Sequence, residues 1–171
     1  EQELLHNCIF LLNAGHETTT NLIANGLVAL ARHPDQRQRL IDEPQLIKSA
    51  VEEILRYESS NQLGNRRTTR GVEVGGVALP EACSITLCIG AANRDPAQFS
   101  EPEKFDVGRA PNRHLAFGSG VHQCVGMGLA RLEGEIALAR FVARFPGYAL
   151  LGTPVRAARA RFRGFPNVPC R

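Results

Sequence analysis

Phe117-Gly118-Ser119-Gly120-Val121-His122-Gln123-Cys124-Val125-Gly126-Met127-Gly128-Leu129-Ala130-Arg131-Leu132-Glu133 sets one cysteine in a glycine-spaced loop where an amphipathic helix begins. Gly118, Gly120 and Gly126 let the backbone turn tightly and approach a flat ligand closely, because glycine takes positive φ without a Cβ clash. Backbone amides are then expected to point at the sulfur. The free N–H groups and positive dipole end of the helix that follows favour an anion there, so the residues read as a thiolate ligand at Cys124. The same residues admit three other readings: a buried apolar cysteine beside a turn, a Cys124–His122 nucleophile pair, and a zinc site of His114, His122 and Cys124. Two residues apart on a tight loop rarely hold a catalytic pair in geometry, and the zinc site lacks a C-x-x-C partner.

The loop resembles the haem-binding loop of the cytochrome P-450 family of haem-thiolate monooxygenases, whose pattern F-G-x-G-x-H-x-C-x-G is matched at every fixed position. The resemblance runs along essentially all of the chain but covers only the C-terminal half of the family's fold, beginning inside its long central helix. It implies a mainly α fold with small β-sheets, the C-terminal portion of the P-450 fold, as one domain over residues 1–171. It also implies haem b (iron protoporphyrin IX) as cofactor, with Cys124 as the iron ligand. Phe117 would pack by the haem on the thiolate side, and Gly118 would admit that approach. His122 would serve a propionate. So would Arg66, which aligns Val72-Glu73-Val74-Gly75-Gly76 on the family's V-E-x-G-G without a gap; Arg67 is the fallback.

Ala14-Gly15-His16-Glu17-Thr18-Thr19 places an acid and an alcohol beside two small residues inside a helix, with Ala14 and Thr18 on one face. It resembles the family's A-G-x-E-T-T oxygen-activation segment. There Ala14 and Gly15 would leave room for O2 over the iron, the helix would widen locally, Thr18 would hydrogen-bond oxygen or water, and Glu17 would relay protons. The plainer alternative is that Thr18 bonds back to its own helix and Glu17 reaches solvent. Glu53 and Arg56, three apart on one helix face, match the family's E-x-x-R element, and Arg109 fits its third member. These three are expected to be structural.

With 171 residues and 43% hydrophobic content, the chain is large enough for a globular core. Five cysteines (Cys8, Cys83, Cys88, Cys124, Cys170) show no disulfide or metal spacing, which suits a reducing cytoplasm. The longest apolar run, around Cys8 to Leu12, falls far short of the roughly 20 residues of a membrane span, so no membrane is indicated. Net charge is +3, from 18 arginines and two lysines against 17 acids, and does not point to nucleic acid. Arg156, Arg159, Arg161 and Arg163 alternate like a half-exposed strand with a solvated face. Arg131, Arg140 and Arg144 follow Cys124 on its helix and are candidates for docking an acidic electron donor of ferredoxin or flavodoxin type.

Periodicity predicts a helix over 3–31, apolar nearly all round and therefore buried. Two short helices follow near 34–42 and 44–57, each opened by a proline. A small sheet is expected within 64–89, an ordered irregular loop over 90–123, a helix over 125–144, and short strands and turns from 147 to 171. Ala82 stands where the family usually has a turn glycine.

The resulting expectation is a monooxygenase that inserts one oxygen atom of O2 into a small organic substrate. The rival is a truncated, non-catalytic piece of such an enzyme that holds haem weakly or not at all and self-associates through apolar faces of the central helix. A peroxide-driven haem enzyme is disfavoured by Glu17 and Thr18.

Overall fold

The computed structural model describes residues 1–171. Helix α1 (Gln2–Arg32) stops at His33 because the following Pro34 disfavours helical backbone at the residue before it; His33 sits at φ −124°, ψ 74°. Pro34 then opens α2 (Pro34–Asp42), where its missing N–H costs nothing and its fixed φ suits the first turn. Pro44 begins not an α-helix but a 3-10 turn (Pro44–Leu46), which leads directly into α3 (Ile47–Tyr57). On α3, Ala50, Val51, Ile54 and Leu55 form one apolar stripe, all at most 4% exposed.

That stripe packs with the C-terminal half of α1 and with α5 (Met127–Arg144) to make the core, which Leu40, Phe105 and Val107 close. Two small-against-large pairs set how α1 crosses α5. A Cβ on Gly26 would stand 3.1 Å from the methyls of Leu138, and a Cβ on Gly134 would stand 3.1 Å from a methyl of Leu22. Each leucine therefore fills the notch that the opposite glycine leaves.

The expected small sheet is two separate antiparallel pairs. β1 (Leu63–Arg67) pairs with β4 (Ser84–Cys88), with Arg66 opposite Ile85; β2 (Val72–Val74) pairs with β3 (Val77–Leu79). Gly75 and Gly76, at φ 58° and 79°, supply the two positive-φ positions a two-residue hairpin turn needs. Ala82 also takes positive φ, at 61°, a conformation that costs a residue with a Cβ about 1 kcal/mol or more.

After the single turn α4 (Ile89–Ala92), the chain is irregular up to Gly126, apart from a 3-10 turn at Gly120–His122. Past Gly147 the expected strands reduce to two isolated bridges, Asn61 with Phe162 and Leu150 with Cys170. The Arg156–Arg163 stretch is not a solvated strand face either. Arg156 and Arg163 both pair with Glu58, at 2.6 and 3.1 Å, because this segment folds back over the end of α3.

Helix α1 departs most from its sequence pattern. Only its second half is buried; Leu4, Leu5, Ile9, Phe10, Leu11 and Leu12 are 49–72% exposed. No element of this chain packs against those residues, so apolar character around the whole helix did not translate into burial along its whole length. No helix is long and apolar enough to cross a membrane.

Candidate functional site: the cysteine loop and its anchors

The backbone around Cys124 is bent by Gly118 and Gly120, at φ 69° and 70°, positions that would strain any residue with a Cβ. Hydrogen bonds close the loop on itself. Gly118 N donates to Leu115 O at 2.8 Å, Gln123 N to Gly120 O at 3.0 Å, and Cys124 N to Phe117 O at 2.8 Å. Contrary to expectation, no backbone amide donates to the sulfur: the Cys124 N–H is committed to Phe117 O, and α5 begins three residues later at Met127. The thiol is free and exposed.

Apolar side chains flank it, with Val121 97%, Val125 91% and Leu129 61% exposed. Around Gly120 and Gly128 a Cβ would meet nothing within 4 Å, so neither glycine is filled by a neighbour. An exposed sulfur amid exposed apolar side chains and open glycine backbone fits a broad, flat, apolar ligand such as a porphyrin. His122 is exposed in the 3-10 turn and Phe117 is half-buried.

Two carboxylates side by side on α3 hold the irregular segment that leads into this loop and the loop's flank. Glu53 and Arg56 are fully buried, with Arg56 Nε to Glu53 Oε2 and Arg56 Nη2 to Glu53 Oε1 both at 2.8 Å. Arg109 Nε reaches the same carboxylate at 3.2 Å, Asn112 Nδ2 donates at 3.1 Å, and Asp106 N at 3.0 Å. The other Arg56 hydrogens go to the carbonyls of Asn93, Pro102 and Lys104, and those of Arg109 to Ser100, Glu101 and Lys104. This one ion cluster ties α3 to the irregular segment on both sides of Phe105, as the three-residue element predicted.

Glu52 was not singled out by the sequence reading. Its carboxylate takes Arg131 Nε at 2.6 Å and Arg131 Nη2 at 3.0 Å, and His114 Nε2 at 3.0 Å. The Ala116 N–H donates to His114 Nδ1 at 3.2 Å, leaving Nε2 to donate to Glu52. The signal in the sequence was the adjacency of two acids, which a helix turns about 100° apart, so that one can enter the core while the other faces a neighbour. His114 is thus occupied away from any zinc site. Arg131 is occupied too, and not a free docking cation.

Burial opposes the charged form of Glu52, but the hydrogen bonds from His114 and Arg131 outweigh it and hold its carboxyl at about 2, against 4.5 ordinarily. A depressed folded-state value means the contribution is present above pH 4.5 and disappears as the pH falls to about 2. It amounts to roughly 3 kcal/mol. Urea unfolding of the protein beside Glu52→Gln should therefore show a stability gap at pH 6 that closes between pH 4.5 and pH 2.5. A gap independent of pH would contradict it.

The α1 segment lies apart from this network. Ala14 and Gly15 are exposed, Glu17 and Thr18 half-buried, and the α-helix runs through them without the local widening the resemblance implied. Thr18 Oγ1 donates to Ala14 O at 2.8 Å and Thr20 Oγ1 to His16 O at 2.8 Å, so both hydroxyls are spent on carbonyls of their own helix. Glu17 is ion-paired with Arg159, both partly exposed. Gly15 and Thr19, with Ile23, line an open groove against Glu133 and Ile136 of α5. Arg66 is exposed on β1, where Nη1 donates to Asn65 O at 2.8 Å. No hydrogen bond or ion pair joins Glu17, Thr18 or Arg66 to the cysteine loop.

Comparison with known proteins agrees with this geometry. The Cytochrome P450 family model matches residues 1–147. The chain is 46% identical over 150 residues to the biotin biosynthesis cytochrome P450 of Bacillus subtilis (strain 168), a match covering 88% of this chain and 38% of that protein. Among solved structures, CYP109E1 of Bacillus megaterium in complex with testosterone superposes with a TM-score of 0.97 at 35% identity, over 99% of this chain and 48% of that one. P450BioI in complex with a hexadec-9Z-enoic acid ligated acyl carrier protein superposes with a TM-score of 0.93 at 43% identity, over 95% and 43%. The chain therefore spans less than half the length of these relatives. With the family model matching residues 1–147, 46% identity to a curated relative and a chain path that superposes at a TM-score of 0.97, the chain belongs to the cytochrome P450 family.

Proposed function

We propose that the chain forms the thiolate-ligand side of a haem b monooxygenase acting on an apolar organic molecule, with electrons from a ferredoxin or flavodoxin type donor. The observation that carries the reading is the exposed Cys124 thiol in a glycine-bent loop, with Val121, Val125 and Leu129 near it in the chain and exposed as well. When bound, a thiolate-held haem supplies the activation of O2 and the insertion of one oxygen atom into a C–H bond.

The residues of this chain divide the remaining work. Cys124 offers Sγ to the iron, and Phe117 and Gly118 bed the porphyrin on the same side. His122 and Arg66, both exposed, offer N–H donors to the propionates. Ala14 and Gly15 present a low, small-residue surface on α1. Thr18 carries a hydroxyl that bonds to Ala14 O in this structure and rotates about χ1 to act as a donor elsewhere. Glu17 holds a carboxylate against Arg159 at the solvent boundary, where letting go of that arginine frees an oxygen to take a proton from water.

The neighbours' ligands, testosterone and a fatty acyl chain, are apolar and support an apolar substrate class here. The test is turnover of the haem-loaded protein with a ferredoxin system, testosterone or hexadec-9Z-enoic acid, and isotopically labelled dioxygen. One labelled oxygen in a hydroxylated product supports the reading; a product that carries only solvent oxygen overturns it. Thr18→Ala should cut product formed per reducing equivalent several-fold while oxygen uptake persists. An unchanged ratio would remove Thr18 from the proton path.

A further inference from the structure

Arg131 does two things at once. Its guanidinium holds Glu52 through two hydrogen bonds and lies 4.8 Å from the centre of the Phe117 ring. The His114 ring, 3% exposed and bonded to the same carboxylate, stands 6.1 Å from the Phe117 ring, tilted to it by 51°. Phe117 in turn accepts the Cys124 N–H through its carbonyl at 2.8 Å. Leu115 N is held by Asn93 Oδ1 at 2.7 Å, so both flanks of Phe117 are fixed. A continuous set of contacts thus runs from α3, through α5 and the loop, to the backbone of the cysteine.

We propose that Glu52, with His114 and Arg131, is a positioning residue that clamps Phe117 and thereby sets the orientation in which Cys124 is presented to its ligand. This rests on the reading of Cys124 as the haem ligand. Glu52 makes no hydrogen bond to Cys124; it acts through the two side chains that stand against the phenyl ring. The neighbouring Glu53 cluster does not substitute for it, since Glu53 anchors residues 100–112 and has no contact with Phe117. A flat guanidinium suits both tasks, because its fork matches the carboxylate while its face covers the ring, and a lysine ammonium does neither as well.

Amide hydrogen exchange with fragment-level mass spectrometry separates positioning from general stability. In Glu52→Gln, an isosteric change that also lowers global stability, exchange of Gly118 and Cys124 should rise at least tenfold more than that of the Ile54 and Leu55 amides of α3. Arg131→Lys should give an intermediate rise, and Arg131→Met the same rise as Glu52→Gln. In haem-loaded protein, Glu52→Gln should release haem to an acceptor globin several-fold faster than the parent. Unchanged exchange at 118–124, or an equal rise in α3, would overturn the proposal. Failure of the parent chain to bind haem would instead sink the monooxygenase reading and leave the exchange result standing.

Discussion

Glu53→Ala should destabilise the protein by about 3–5 kcal/mol, because it leaves the fully buried Arg56 guanidinium without its counter-charge. Two ordinary considerations make this the most damaging polar substitution in the chain. Every hydrogen of Arg56 points into the protein, so the side chain has no route to water. Arg109 and Asn112 lose the same acceptor, and with them the link that holds residues 100–112 against α3. Against a total stability on the order of 5–15 kcal/mol, a loss of this size removes much of the margin. Guanidinium unfolding is the check, with haem-loaded yield as a second readout. A cost below about 1 kcal/mol would mean that the cluster behaves like an exposed ion pair.

Leu138→Ala should cost about 2–5 kcal/mol through the cavity it leaves between α1, α3 and α5. Leu138 is fully buried and fills the notch at Gly26, next to Ile54. Since Gly26 already has no side chain, nothing on the opposite helix can move in to occupy the space. The consequence reaches the site, because α5 carries Arg131 at its start and is held to α1 by this contact and its reciprocal at Gly134 and Leu22. Leu138→Met keeps the volume and should cost less than about 1.5 kcal/mol. Equal losses for the two variants would place the effect in side-chain shape and not in the cavity.

What the sequence disclosed followed from patterns that depend on few partners. The helices over 34–57, the one after the cysteine, and the strands within 64–89 rest on proline, glycine and local periodicity, and their positions came out within a few residues. The Glu53, Arg56 and Arg109 cluster was legible because two members lie on one helix face and the third in a matched loop. What stayed hidden needed long-range packing. Nothing in the sequence around Glu52 says that residues 62 and 79 positions away will share its carboxylate. Arg156 and Arg163 alternate like strand residues, yet both pair with Glu58, while Arg56, two residues from it, is committed to Glu53. The apolar circumference of α1 announced burial, while only its second half has neighbours to bury it. Thr18 matched a functional segment, yet in the structure its hydroxyl is bonded to a carbonyl of its own helix, a local choice that the motif does not encode.

The most direct test of the central claim, that Cys124 is a haem-thiolate ligand, is the carbon monoxide difference spectrum of the reduced, haem-loaded protein beside Cys124→Ala. A strongly red-shifted Soret band is expected in the parent and is expected to be missing from the alanine variant. The same band in both proteins, or its absence from a parent that has bound haem, would contradict it.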